Sequence, residues 1–441
     1  MRVTPTSCAR PSTARRASKQ GGVRRGRRRG RQLGRVHGTA SSRVTAERWA
    51  APARGRADRR SLPSCYGAVM QLTSLRLHRV SMPLVTPFET SFMRETEKDC
   101  YLVEATFDTD AGPVTGWGES VAMAAPLYSE EFLEGGIAVT QKWLAPALFE
   151  IENLTAETVG WHLRHIIGHP MAKSAIEMAV LEAQLKSRGQ SFKEYVGGVV
   201  DAVPSGVSVG IHPTIGELIE TVGGYLDEGY ARIKLKIKPG TDLEPVAALR
   251  REFGDDFLFQ VDANAAYTLV DAAHLKKLDD YGLLLIEQPL GEADIRQHSE
   301  LAKLMSTPMC LDESIVSAEA AADAIALGAA AVINIKPGRV GGYLEAKRIH
   351  DLASAHGVAV WHGGMLETGL GRAANAALAT LPGFTLPGDI SGSKRFFHED
   401  ITEEIVQRDG AVQVPEGPGF GVTINPERLE KFSRGTVDIT R

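Results

Sequence analysis

Cysteine is scarce and scattered in this chain. Cys8, Cys65, Cys100 and Cys310 are the four in 441 residues, with no CxxC pair and no metal-finger spacing. That pattern argues against a disulfide scaffold and against a structural zinc site. Cys310 lies in the apolar run MCL and reads as a buried, inert thiol. A long apolar run is missing as well. Even the Ala-rich stretch near Ala320 is interrupted by Asp323, so nothing approaches the ~18 residues of a membrane span. A reducing compartment, the cytoplasm, is therefore expected, with no membrane partner. Aromatic residues make up only 6%, but hydrophobic residues reach 43% and charged residues 24%, ordinary globular values with ample material for a core. Barrels of about 250 residues count as one domain, so one large domain and a smaller one are expected.

Acidic residues are nearly absent from the start of the chain. Residues 1–69 hold 18 Lys+Arg against 2 Asp+Glu, a net of +16; removing these from totals of 50 and 54 leaves 32 basic and 52 acidic residues, a net of −20. The basic part, centred on GGVRRGRRRGRQLGR, has no helical or strand periodicity and reads as a disordered extension. It fits a nucleic-acid-binding arm, a transit-like peptide, or upstream sequence translated from a start codon placed too early. The strand pattern QLTSLRLHRVSMPL that opens at Met70 favours the last of these and makes nucleic acid an unfavoured partner.

Residues 70–195 read as a compact α+β domain, strand, Pro/Thr loop, strand and then helices. From 196 to 395 short β-branched strands alternate with Ala-rich helices. The strands are expected at 206–210, 232–237, 257–264, 283–290, 308–314, 331–337, 358–364 and, more weakly, 384–389. Seven or eight βα units at an even pitch predict an α/β fold, a modified (β/α)7-8 TIM-type barrel with an α+β N-terminal capping domain.

RIKLKIKPG places Lys234 and Lys236 on one strand face and Ile233, Leu235 and Ile237 on the other. An edge strand with a wet lysine face would do so, but the neighbouring units argue for more. Lys236, Asp262, Glu287, Asp312 and Lys336 follow one another at intervals of 26, 25, 25 and 24 residues, one polar residue per unit near the strand's carboxyl end. Those ends converge on the mouth where barrel chemistry sits. Asp262, Glu287 and Asp312 on successive strands would repel one another unless a hard divalent cation joined them, and an all-oxygen set points to Mg2+ rather than zinc. Lysines on both sides of such a cluster could remove and return a proton α to a carboxylate.

IKLKI, QVDAN, IEQP, LDES and NIKPGRVGG, in this order and pitch, resemble the enolase superfamily. With VSVG, VVGGYLDEGY, GGMLETGLGRAAN and LPGD the resemblance narrows to the branch of o-succinylbenzoate synthase and N-acylamino acid racemase, and covers nearly all of the chain from Met70. It implies that Asp262, Glu287 and Asp312 bind Mg2+, replaceable by Mn2+ or Co2+. It also implies that Lys236 and Lys336 are the acid/base pair, assisted by Lys234, acting through an enediolate on a small-molecule carboxylate. Ser208, Asn264 and Gly364 match substrate-binding positions, Phe92 and Met123 match loops of the capping domain that close over the site, and Arg339 matches an arginine of the racemase members. From the residues alone, Arg339 could equally be a surface cap on a helix. The resemblance further implies a homo-oligomer, often an octamer, and a tail from about Phe396 that returns to the capping domain.

Two activities stay open: dehydration to o-succinylbenzoate in menaquinone biosynthesis, where Lys236 alone would suffice, and racemisation of N-acylamino acids, which needs both lysines. Other lysine-based members, a dipeptide epimerase or a cycloisomerase, are alternatives. PGDISGS, however, offers only Asp389 where dipeptide epimerases carry Asp-x-Asp. His362 could suggest a mandelate-racemase-like base, but Lys336 stands where its Asp partner would be. GLGRAA mimics a dinucleotide fingerprint poorly, since it follows a late strand instead of opening a βαβ unit. A non-catalytic scaffold with a nucleic-acid arm would leave the three carboxylates without a purpose.

Overall fold

The computed structural model describes residues 69–89 and 93–441; the basic extension up to 68 and the specificity candidate Phe92 lie outside the described residues. The capping strands are β1 (Met70–Glu89), β2 (Arg94–Thr109) and β3 (Val114–Ser120). They are followed by β4 (Ala202–Pro204), β5 (Gly206–Val209), β6 (Arg232–Lys236), β7 (Leu258–Asp262), β8 (Ile286–Glu287), β9 (Met309–Leu311), β10 (Val332–Ile335) and β11 (Ala359–His362). The last are β12 (Gln407–Arg408), β13 (Ala411–Gln413) and β14 (Ser433–Thr440).

Strands β14, β1, β2 and β3 form an antiparallel sheet in that order. Leu75 and Leu77 of β1 are buried, while Arg76 between them is exposed and reaches Asp438 of β14 at 2.5 Å, as period-2 alternation requires. The helix Pro170–Arg188 packs on this sheet. GWGES makes the close approach possible: a Cβ at Gly116 would stand 2.0 Å from the Ala179 carbonyl oxygen, and one at Gly118 would stand 1.9 Å from that of Ala175. Backbone must move to admit even a methyl group, so Gly118→Ala is expected to cost about 3 kcal/mol of stability, read as a lowered urea midpoint with an unchanged slope. A shift below a few tenths of a molar would show that the helix rides looser than described.

Strands β5 to β11 form a parallel seven-stranded sheet in sequence order. β6 is thus an interior strand between β5 and β7, all five of its residues buried, and not an edge strand with a wet face. One intervening helix, Ala318–Leu327, is capped at its start by Ser317 Oγ and stops at the left-handed Gly328 with φ of 65°. Where the eighth strand was expected, residues 384–389 form only two isolated parallel bridges, Val360 to Phe384 and Ser205 to Gly388. They close the curve between β11 and the start of β5. Pro387 has no N–H to give to a ladder, which is why this segment does not continue as a strand.

The tail divides. β12 and β13 join β4 in a three-stranded sheet, whereas β14 pairs with β1 of the capping sheet. No helix among the described residues is long and apolar enough to cross a membrane.

Candidate active site

Parallel register sets the level of the polar residues. Lys236, Asp262 and Glu287 are the last residues of β6, β7 and β8 and stand side by side, Lys236 beside Asp262 and Asp262 beside Glu287. Asp312 directly follows β9 and Lys336 directly follows β10. The chain turns sharply at this end: Asn264, Ala265, Gln288 and Leu366 all have positive φ, 41°, 60°, 37° and 57°. Such conformations in non-glycine residues persist where surrounding contacts hold them, a pattern typical of functional mouths.

Seven charged groups, Lys234, Lys236, Lys336, Asp262, Glu287, Asp312 and Asp389, pair closely at this end of the sheet. Lys236 Nζ lies 2.6 Å from Asp262 Oδ2 and 2.7 Å from Asn264 Oδ1. Lys234 Nζ lies 2.6 Å from Asp389 Oδ2 and 3.2 Å from both Asp262 Oδ2 and Glu287 Oε2. Lys336 Nζ lies 2.7 Å from Asp312 Oδ2 and 3.1 Å from the Tyr128 hydroxyl. Burial opposes the charge on Lys234, but Asp389, Glu287 and Asp262 outweigh it and hold its pKa above the ordinary lysine value. Lys336 is likewise raised against burial, by Tyr128, Glu313 and Glu287. Glu287 is pushed up by burial and by Asp262, and Glu313, buried beside Asp262, is pushed up to about 7.

No group of three or more acidic, imidazole or thiol side chains among the described residues stands close enough to enclose a metal ion. Ammonium groups stand between the carboxylates instead. The donor set nevertheless suits a hard divalent cation. Three carboxylates converge from adjacent strand ends, and Glu287 Oε2 is buried without an aligned hydrogen bond. All-oxygen ligation of this kind selects Mg2+-like ions over softer metals.

A cavity opens onto this network. Lys234, Lys236, Lys336, Ser208, Asn264 and Gly364 line it from the barrel, and Phe88, Met93, Met123 and Tyr128 line it from the capping part of the chain. Met365, Leu366 and Phe396 add apolar wall. Arg339 does not line the cavity. It is buried, donates from Nε to the Ile315 carbonyl at 3.0 Å and from Nη2 to the Asn334 carbonyl at 2.8 Å, and sets Nη1 against Asp312. It is not a surface cap, and it meets the cavity only through Tyr128, to whose hydroxyl Nη1 donates at 3.3 Å.

The enolase C-terminal domain-like family model matches residues 217–428. The chain is 58% identical over 368 residues to the N-succinylamino acid racemase of an Amycolatopsis species, covering 83% of this chain and 99% of that protein. It is 44% identical over 359 residues to the o-succinylbenzoate synthase of Geobacillus stearothermophilus, covering 81% and 95% respectively. The chain belongs to the enolase superfamily. A solved structure of an enolase-superfamily member from Listeria innocua superposes with a TM-score of 0.80 at 38% identity, over 84% of this chain and 99% of that one.

Within this enolase-superfamily enzyme several residues near the network carried no role in the sequence reading. Tyr128 shares the stretch AMAAPLY with Met123, but only the fold brings it to Lys336. Asn334 precedes Lys336 by two and gives Glu287 Oε1 a hydrogen bond of 2.7 Å; that spacing was the available signal. Arg232 shares the face of Lys234 and Lys236 and pairs with Asp389 at 2.7 Å. Asp389 is thus engaged by Arg232, Lys234 and Ser208 Oγ. His362 is buried, held to about 4 by that burial, and bonded to the Gly363 carbonyl. In GLGRAA, the amides of Gly369 and Gly371 are taken by the carboxylates of Asp400 and Glu119, so the turn receives acidic side chains where a dinucleotide site would offer free N–H groups.

Proposed function

We propose that the protein interconverts the enantiomers of N-acylated amino acids, N-succinyl derivatives above all, by moving the α-proton between two lysines. Dehydration to o-succinylbenzoate would be a second reaction of the same cavity, favoured by the relative that bears that name. The observation that carries the reading is the pair Lys236 and Lys336. Both face one cavity, from β6 and from the end of β10, with the three carboxylate-bearing strands between them.

Each residue then has a task. Lys236 takes or returns the proton on one face of the α-carbon and Lys336 on the other, each neutral when it acts as base. Ser208 Oγ and Asn264 Nδ2 are donors able to orient a substrate carboxylate. Tyr128 holds Lys336 by its hydroxyl. Met93, Met123, Met365 and Leu366 exclude water and accept an apolar side chain. Asp262, Glu287 and Asp312 would hold Mg2+, which supplies positive charge to the substrate carboxylate as the α-carbon loses its proton. Asp389 is tied to Arg232 and Lys234, which leaves it poorly placed to grip a free ammonium and favours acylated nitrogen.

The test is a paired assay with the purified enzyme and Mg2+. Optical rotation of N-succinyl-L-methionine should decay to zero, and decay should stop on chelation. If rotation holds while o-succinylbenzoate forms from its hydroxy-acid precursor, the dehydration is the principal activity and the racemase reading fails.

A further inference from the structure

One wall of the cavity is built by a loop that is held in part from outside the barrel. Gly364, Met365, Leu366 and Glu367, between β11 and the helix Gly369–Leu378, all line the cavity. Leu366 sits at φ of 57°, a conformation disfavoured by roughly 1–2 kcal/mol for a residue with a Cβ. Something must pay for it, and the loop's own bond from Met365 N to Glu367 Oε1 (2.9 Å) is local.

Arg372 of the following helix donates from Nη2 to the Glu367 carbonyl at 2.5 Å, and the tethers nearest Met365 and Thr368 from elsewhere in the chain come from the capping sheet. Lys98 of β2, only 3% exposed, donates from Nζ to the Met365 carbonyl at 2.9 Å. Glu119 of β3, also 3% exposed, accepts from Thr368 N at 2.9 Å, Thr368 Oγ at 2.6 Å and Gly371 N at 3.0 Å. A carboxylate on the first amides of a helix is favoured by the helix dipole, and a buried ammonium on a carbonyl is a strong, directional bond. Burial raises the Glu119 pKa, while Lys98 and the Thr368 bonds oppose that rise.

We infer that Lys98 and Glu119 are positioning residues that set the cavity loop 364–368 from the capping sheet and so govern which substrate side chains the enzyme accepts. This rests on the proposed function for its substrate class. Neither residue itself lines the cavity; Lys98 acts through Met365 and Glu119 through Thr368 and Gly371. Removing a tether frees Leu366 to relax out of its left-handed conformation and moves the wall formed by Met365 and Leu366.

The test uses Lys98→Met, Lys98→Arg and Glu119→Gln in the full-length enzyme. Amide hydrogen exchange of the peptide 363–372 should quicken at least roughly tenfold in Lys98→Met and Glu119→Gln, with the β6 and β7 peptides unchanged, and Lys98→Arg should restore most of the protection. In the same proteins, the ratio of kcat/KM for N-succinyl-methionine over N-succinyl-alanine should fall by roughly tenfold in the two disruptive variants, chiefly through KM. Unaltered exchange in 363–372 overturns the inference whatever the enzyme's reaction. Faster exchange with an unaltered substrate ratio shows a structural tether only and overturns the specificity role. If exchange responds as described but no N-succinyl substrate is turned over by the wild type, it is the proposed function that fails.

Discussion

Lys336→Ala is expected to abolish racemisation, by roughly a thousandfold or more, while leaving one enantiomer able to exchange its α-proton. The two lysines approach the cavity from strands separated by three others, and the proposed two-base mechanism assigns each of them one face of a bound α-carbon. With Lys336 gone, Lys236 still removes and returns a proton on its own face, with retention of configuration. Proton NMR in D2O should therefore show the α-signal fading for one enantiomer only, with optical rotation constant. Lys236→Ala should give the mirror-image outcome. A loss of this size matches the usual worth of a positioned acid or base, about 10²- to 10⁴-fold. Racemisation persisting in Lys336→Ala would sink the two-base account outright.

Chelation should silence the wild type by on the order of 10³-fold, the scale expected when charge stabilisation at a developing anion is lost, and Mg2+ should restore it. The buried network explains why the protein should nevertheless stay folded. Lys236 and Lys336 are paired to Asp262 at 2.6 Å and Asp312 at 2.7 Å, so the carboxylates never stand uncompensated. The same pairing occupies both amines, which must part from these carboxylates before either can take a proton from substrate. Calorimetric titration should detect Mg2+ binding to the wild type and none to Glu287→Gln, a readout independent of turnover. Full activity in chelator would remove the three carboxylates from the account.

The constellation was legible in the sequence because a barrel repeats: one polar residue every 24–26 positions marks the ends of successive strands. Lys236, Asp262, Glu287, Asp312 and Lys336 all come to one end of the sheet for that reason. The eighth unit was less legible because Pro387 turns an apparent strand into two bridges. Arg339 shows another limit. KPGRV reads as a helix start, and nothing local says that its guanidinium folds back between Ile315 and Asp312. Tyr128 to Lys336, Lys98 to Met365 and Glu119 to Thr368 span 208, 267 and 249 residues. Such contacts leave no periodic trace in either partner and emerge only when the capping sheet meets the barrel.

The most direct measurement is the isotopic composition of the first D-enantiomer formed from N-succinyl-L-methionine in D2O. Two lysines on opposite faces predict that this product carries solvent deuterium at the α-carbon from the earliest time points, because the proton that leaves to one lysine is not the one the other delivers. Early product that retains substrate-derived protium would mean a single base serves both faces, and would contradict the assignment of Lys236 and Lys336 as partners.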